Sequence, residues 1–216
     1  MARSQLRVRA QSLLGSDRDD CPADTSLPID LAIHDWPLPY ESRLHERALG
    51  AIDLVVVHCT ELPDMKMTRE FGERVHYPQL GTGNSGHYYI EENGAVHRFV
   101  SPARVANHAA GYNTRSIGIE IFNVGRYPHW GHSKHQNWTA PYTRAQIESL
   151  LALLRKLRTD IPSLRYIAGH EDLDRRLEPS SDDPAILLPR RQDPGPLFPW
   201  NEIVPAAGLE RLIPPK

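Results

Sequence analysis

Cysteine is nearly absent from this chain: Cys21 and Cys59 are the only two among 216 residues, too few for a disulfide framework. No apolar run approaches the ~20 residues that cross a bilayer, so no membrane-spanning helix is expected. Neither sign of charge dominates. Lys and Arg number 25 against 27 Asp and Glu, a net −2, which gives no electrostatic case for nucleic acid as a partner. The basic start, Met1–Ala10, lacks the apolar stretch of roughly 7–15 residues that follows in a secretion signal. A cytoplasmic location is therefore expected, with a periplasmic or extracellular one left open. Internal repeats and low-complexity tracts are missing, and no feature fixes an oligomeric state. The length suits one domain, or one domain with extensions.

The valine-rich run Ile52–His58 has the pattern of a strand buried on both faces. Residues 1–50 are polar with weak periodicity, an extended arm with one short helix around Glu41–Leu49. A short helix is expected over Thr68–His76, then a loop at Gly81–Gly86. Asn93-Gly94 between His87–Glu91 and Ala95–Ser101 signals a hairpin. Ser116–Phe122 reads as a strand with Ile117, Ile119 and Ile121 on one face and Gly118 and Glu120 on the other. The segment Tyr127–Tyr142 is dense in His, Trp and Pro and reads as an inserted loop. Thr143–Arg158 is the clearest helix: Thr143 and Gln146 form a capping box, and Ile147, Leu150, Leu151, Leu154 and Leu157 trace one face. Leu164–Ala168 is a further strand, Asp172–Arg191 a long loop and Asp193–Trp200 a fixed turn. Strands interspersed with helices predict an α/β (mixed α+β) domain with a central mixed sheet flanked by helices.

Three residues carry a metal signal. His58 closes the buried strand, His170 follows Gly169, and Asp193 precedes a rigid Pro194-Gly195-Pro196 turn. Two imidazoles and a carboxylate make a three-ligand zinc set with a fourth position for water, although other divalent metals accept the same donors. Cys59 follows His58 directly, so its side chain points to the opposite face, and it reads as a small buried residue. Glu120 is a carboxylate in a strand of isoleucines, costly to bury unless paired or functional.

Several segments together resemble a known family. Val57-His58, Gly86-His87-Tyr88-Tyr89-Ile90, Asn107-His108-Ala109-Ala110-Gly111, Ser116-Ile117-Gly118-Ile119-Glu120, Gly169-His170 and Asp193-Pro194-Gly195-Pro196 occur in the order seen in type-2 N-acetylmuramoyl-L-alanine amidases. That group is related to peptidoglycan recognition proteins and phage T7 lysozyme. The resemblance covers roughly Ala51–Trp200. It divides the chain into an arm (1–50), a zinc amidase domain (51–204) and a C-terminal tail (205–216). It implies zinc-dependent cleavage of the amide between N-acetylmuramic acid and L-alanine in peptidoglycan or muropeptides, with His58, His170 and Asp193 as ligands and Glu120 as general base. Arg191 stands where the family often has lysine, and implies electrostatic stabilisation of an oxyanion. His108, Asn107 and Tyr88 are expected to contact substrate, although face alternation leaves Tyr88 and Tyr89 both open. His129, His132 and His135, with Trp130 and Trp138, read as a groove-edge loop, and Arg175, Arg176 and Glu178 as a solvated one. The competing function is a peptidoglycan-binding module on the same fold without chemistry.

Overall fold

A computed structural model describes residues 31–215. Cys21, the basic segment Met1–Ala10 and the rest of the expected arm up to residue 30 lie outside the described residues. Those described run β1 (Ile33–Asp35), β2 (Leu54–Cys59), α1 (Met65–Glu73), β3 (Tyr88–Ile90), β4 (Val96–Arg98), β5 (Ser116–Ile121), α2 (Arg144–Asp160), β6 (Tyr166–Gly169), a helical turn α3 (His170–Leu173), β7 (Leu177–Pro179), β8 (Leu187–Pro189), α4 (Trp200–Ala207) and β9 (Glu210–Arg211). Seven strands form one sheet in the order β1-β4-β3-β5-β2-β6-β9. Every neighbouring pair is parallel except the β3–β4 hairpin. The sheet takes in β1 and β9 at its two edges, so it extends past the 51–204 range on both sides. Among the described residues no helix is long and apolar enough to cross a membrane.

All of β2 is buried, as a parallel strand covered on both faces requires. Val55 and Val57 join Ile117, Ile119 and Ile121 of β5 and the apolar stripe of α2 in one cluster. Leu54 and Val56 face the other way, against Ala109 and Ala168. Alternation places His58 on this second face. The register pairs Val56 with Gly118 and His58 with Glu120, so the isoleucine strand turns its carboxylate to the same side.

The capping box of α2 forms: Thr143 Oγ1 accepts from the Gln146 N–H at 3.1 Å, and Gln146 Oε1 accepts from the Thr143 N–H at 2.9 Å. Helix α1 starts three residues earlier than expected because Asp64 caps it, its Oδ1 accepting the Met67 N–H at 2.7 Å. The helix expected over Glu41–Leu49 gives way to 3-10 turns at Glu41–Arg43 and Leu49–Ala51. Between them the backbone pairs elsewhere: the Arg47 N–H donates to the Ala103 carbonyl, and the His45 carbonyl accepts from Val105, both at 2.8 Å. The long loop after Asp172 contains the β7–β8 hairpin, whose strands each end in proline and gave no strand signal.

Candidate metal centre and its cleft

His58, Glu120 and His170 gather at the carboxyl ends of three adjacent parallel strands: His58 near the end of β2, Glu120 near the end of β5, His170 directly after β6. Ligands of open α/β sheets bind outside such ends. Asp193 arrives from the loop before α4. Its carbonyl accepts the Glu171 N–H at 3.0 Å, and the Tyr142 hydroxyl donates to the Pro194 carbonyl at 2.7 Å. Gly195 has φ +88, and the ring of Trp138 stands 2.7 Å from where a Cβ would lie, so only glycine suits both the backbone and the contact.

His58 Nδ1 lies 2.9 Å from Asp193 Oδ2, and His170 Nδ1 lies 3.2 Å from the same oxygen. One donor atom from each of the three buried residues falls within 4.8 Å of the others. Burial lowers the pKa of His58 to about 4, against a hydrogen bond to Asp193 that favours the charged ring. Burial alone would raise Asp193, but the adjoining His170 and His58 outweigh it and hold the carboxyl well below its ordinary range. A neutral imidazole and an ionised carboxylate are the forms that bind a cation. The donor set, its burial and its convergence therefore fit a metal ion.

The centre opens into a cleft of about 630 Å³ lined by Glu120, Arg191, Asn107 and His108, among others. Burial, then the charge of Asp193, raises Glu120 well above the usual carboxylate range, with Arg191 acting against both. Gly86 makes room for Glu120, because a Cβ there would stand 2.9 Å from Glu120 Cγ. Arg191 Nε is buried and has no hydrogen-bond partner among the described residues. Its neighbour Arg190 is engaged: it pairs with Asp174 and lies 2.7 Å from Glu178.

Asn107 Nδ2 donates to the Gly83 carbonyl at 3.0 Å on the cleft wall. Tyr88 requires correction. It pairs in register with Ile119 and packs in the main core, 5% exposed. Its neighbour Tyr89, opposite Glu120, lines the cleft instead, its hydroxyl accepting the Gly86 N–H at 3.1 Å. The rings of His129, His132 and His135 lie 4.6 to 6.2 Å apart on their loop. Trp130 from that loop reaches the cleft. No sequence signal announces the Glu61–Arg126 pair on the cleft wall, a two-pronged contact at 2.8 and 2.7 Å. The partners are 65 positions apart, beyond any local pattern.

Imidazoles and carboxylates gathered at the carboxyl ends of a mostly parallel sheet form a frame suited to metal-assisted hydrolysis. The chain belongs to the N-acetylmuramoyl-L-alanine amidase family, whose profile matches residues 48–196. It is similar to the N-acetylmuramoyl-L-alanine amidase AmiD of Escherichia coli (strain K12), with 32% identity over 113 residues, 52% of this chain and 34% of AmiD. The match thus spans about a third of that relative's length. Its fold is that of the endolysin amidase LysCS from Clostridium intestinale URNW, with TM-score 0.59, 21% identity, and coverage of 83% of this chain and 97% of LysCS. It is also that of E. coli AmiD in complex with the substrate anhydro-N-acetylmuramic acid-L-Ala-D-gamma-Glu-L-Lys (TM-score 0.56, 23% identity, covering 77% of this chain and 61% of that one).

Proposed function

We propose that this protein is a zinc-dependent N-acetylmuramoyl-L-alanine amidase that hydrolyses the amide joining N-acetylmuramic acid to L-alanine in muropeptides or peptidoglycan. The observation that carries the reading is the convergence of His58, His170 and Asp193 within 4.8 Å beside a carboxylate, Glu120, on the same sheet face. His58, His170 and Asp193 would hold the zinc ion. When bound, such an ion brings the pKa of its water to about 7 and polarises a carbonyl oxygen. Glu120 takes the proton of the attacking water and delivers it to the leaving amine of L-alanine. Burial raises its pKa above the usual carboxylate range, which makes it a stronger base for the first transfer. Arg191, fixed in charge, offers its guanidinium, whose Nε has no partner among the described residues, to the oxyanion that develops on the attacked carbonyl.

A peptidoglycan-binding module on the same fold is the competing function. Such relatives typically lack a ligand, whereas this chain retains all three ligand candidates and the glutamate. Incubation with soluble anhydro-muropeptide and with intact sacculi, followed by mass analysis, tests the reading. The amidase releases free stem peptide with one water added across the amide. Binding without any change in substrate mass would favour the module.

A further inference from the structure

Behind the metal centre the hydrogen bonds run in one direction. His58 and His170 both turn Nδ1 to Asp193 Oδ2, so these nitrogens face the centre. His58 Nε2 points away and lies 3.0 Å from Nδ1 of His108. His108 Nε2 in turn lies 3.2 Å from Ser116 Oγ, and that hydroxyl donates to the Tyr112 carbonyl at 2.8 Å.

The proton positions follow from this order of partners. A neutral ring that offers the lone pair of Nδ1 carries its proton on Nε2. The His58 proton then needs an acceptor, and the atom facing it is His108 Nδ1. His108 accordingly holds its own proton on Nε2 and donates it to Ser116. Ser116 spends its single hydrogen on a backbone carbonyl and is left as an acceptor.

The seat of His108 is built for the ring. Gly118 lies beneath it: a Cβ there would stand 2.7 Å from His108 Cγ and 2.8 Å from Nδ1. The loop is held by Asn113 Oδ1, which accepts the N–H groups of His108 at 3.1 Å and Ala109 at 2.7 Å. The ring of His87 packs edge-on at 5.5 Å. The glycine of Ile117-Gly118-Ile119-Glu120 thus serves the imidazole above it.

We propose that His108 is a positioning residue for His58: backed by Ser116, it fixes the tautomer and orientation in which His58 presents Nδ1 to the metal. This rests on the zinc amidase reading, and it gives His108 a role behind the ligand in addition to its place on the cleft wall. Partners behind metal-bound histidines are worth about 10- to 100-fold in metal affinity.

The test measures zinc affinity of the full chain by competition with a chromophoric chelator, with folding followed by circular dichroism. His108→Ala should bind zinc about 10- to 100-fold more weakly, and Ser116→Ala about tenfold more weakly. His108→Asn keeps an acceptor close to the position of Nδ1 and should stay within about threefold of wild type. Long-range ¹H–¹⁵N spectra of the zinc-loaded wild type should show the Nε2–H tautomer for both His58 and His108, a result independent of whether any variant folds. Wild-type zinc affinity in His108→Ala, or a His108 protonated on Nδ1, overturns the proposal. A wild type that takes up no zinc is a different failure, because it removes the metal reading on which the proposal stands.

Discussion

His58 and Glu120 are register partners on adjacent parallel strands, so the candidate ligand imidazole and the carboxylate beside it ride on one face of the same sheet. Their separation is set by the spacing of strands and by alternation along them. Function placed on such elements holds its geometry more closely than function placed on loops.

The purified protein should carry about one zinc ion per chain, as a three-ligand site with one open position does. His58→Ala and Asp193→Ala should each lose most of it, as read by elemental analysis after gel filtration. Full occupancy in both variants would show that the metal is held elsewhere.

Glu120→Gln should keep zinc and fold while slowing amide cleavage about 100-fold or more, the scale of a lost general base. The same residue sets a pH dependence. Only the deprotonated carboxyl accepts a proton, and burial raises its pKa. Wild-type kcat/KM should therefore fall as pH drops through a value above the ordinary carboxylate range. An acidic limb at an ordinary carboxylate pKa, or near-normal turnover by Glu120→Gln, would assign Glu120 a structural role.

Arg191→Lys preserves a positive charge and should retain much of the activity. Arg191→Ala should lose roughly 10² to 10³ in kcat, the scale for one oxyanion-stabilising group. Both should bind zinc normally, since the Asp193 turn is untouched. An alanine variant as active as wild type would place the stabilising charge elsewhere, and Arg190 is already committed to Asp174 and Glu178.

Leu154 is fully buried in the main core, on the sheet face away from the candidate metal centre. Leu154→Ala should destabilise the fold by about 2–5 kcal/mol through lost burial and the cavity left behind. Urea unfolding measures this. Zinc affinity of the folded variant should match wild type, and a parallel loss would couple the two faces of the sheet.

What could be read from the residues follows from how local each signal is. β2 and β5 were legible because burial on both faces and strict alternation mark them directly, and α2 because its stripe and capping box agree. His58, His170 and Asp193 stood out beside strand ends and a Pro-Gly-Pro turn, and they converge. β1 and β9, with three and two residues, are too short to show a period. The expected helix at Glu41–Leu49 lost to pairing with residues 103–105, where tertiary contacts override propensity. Tyr88 and Tyr89 cannot be told apart by alternation, which separates two faces without saying which is which. Only the register opposite Ile119 and Glu120 decides that.

The Asp193 loop gives the centre an unequal construction. Two imidazoles stand at strand ends, while the carboxylate is delivered by a turn secured through one hydrogen bond each to Glu171 and Tyr142 and by the indole of Trp138. Asp193 is thus the one candidate ligand of the three that no sheet strand positions. The proposed ion would then rest for a third of its protein donors on a turn outside the sheet.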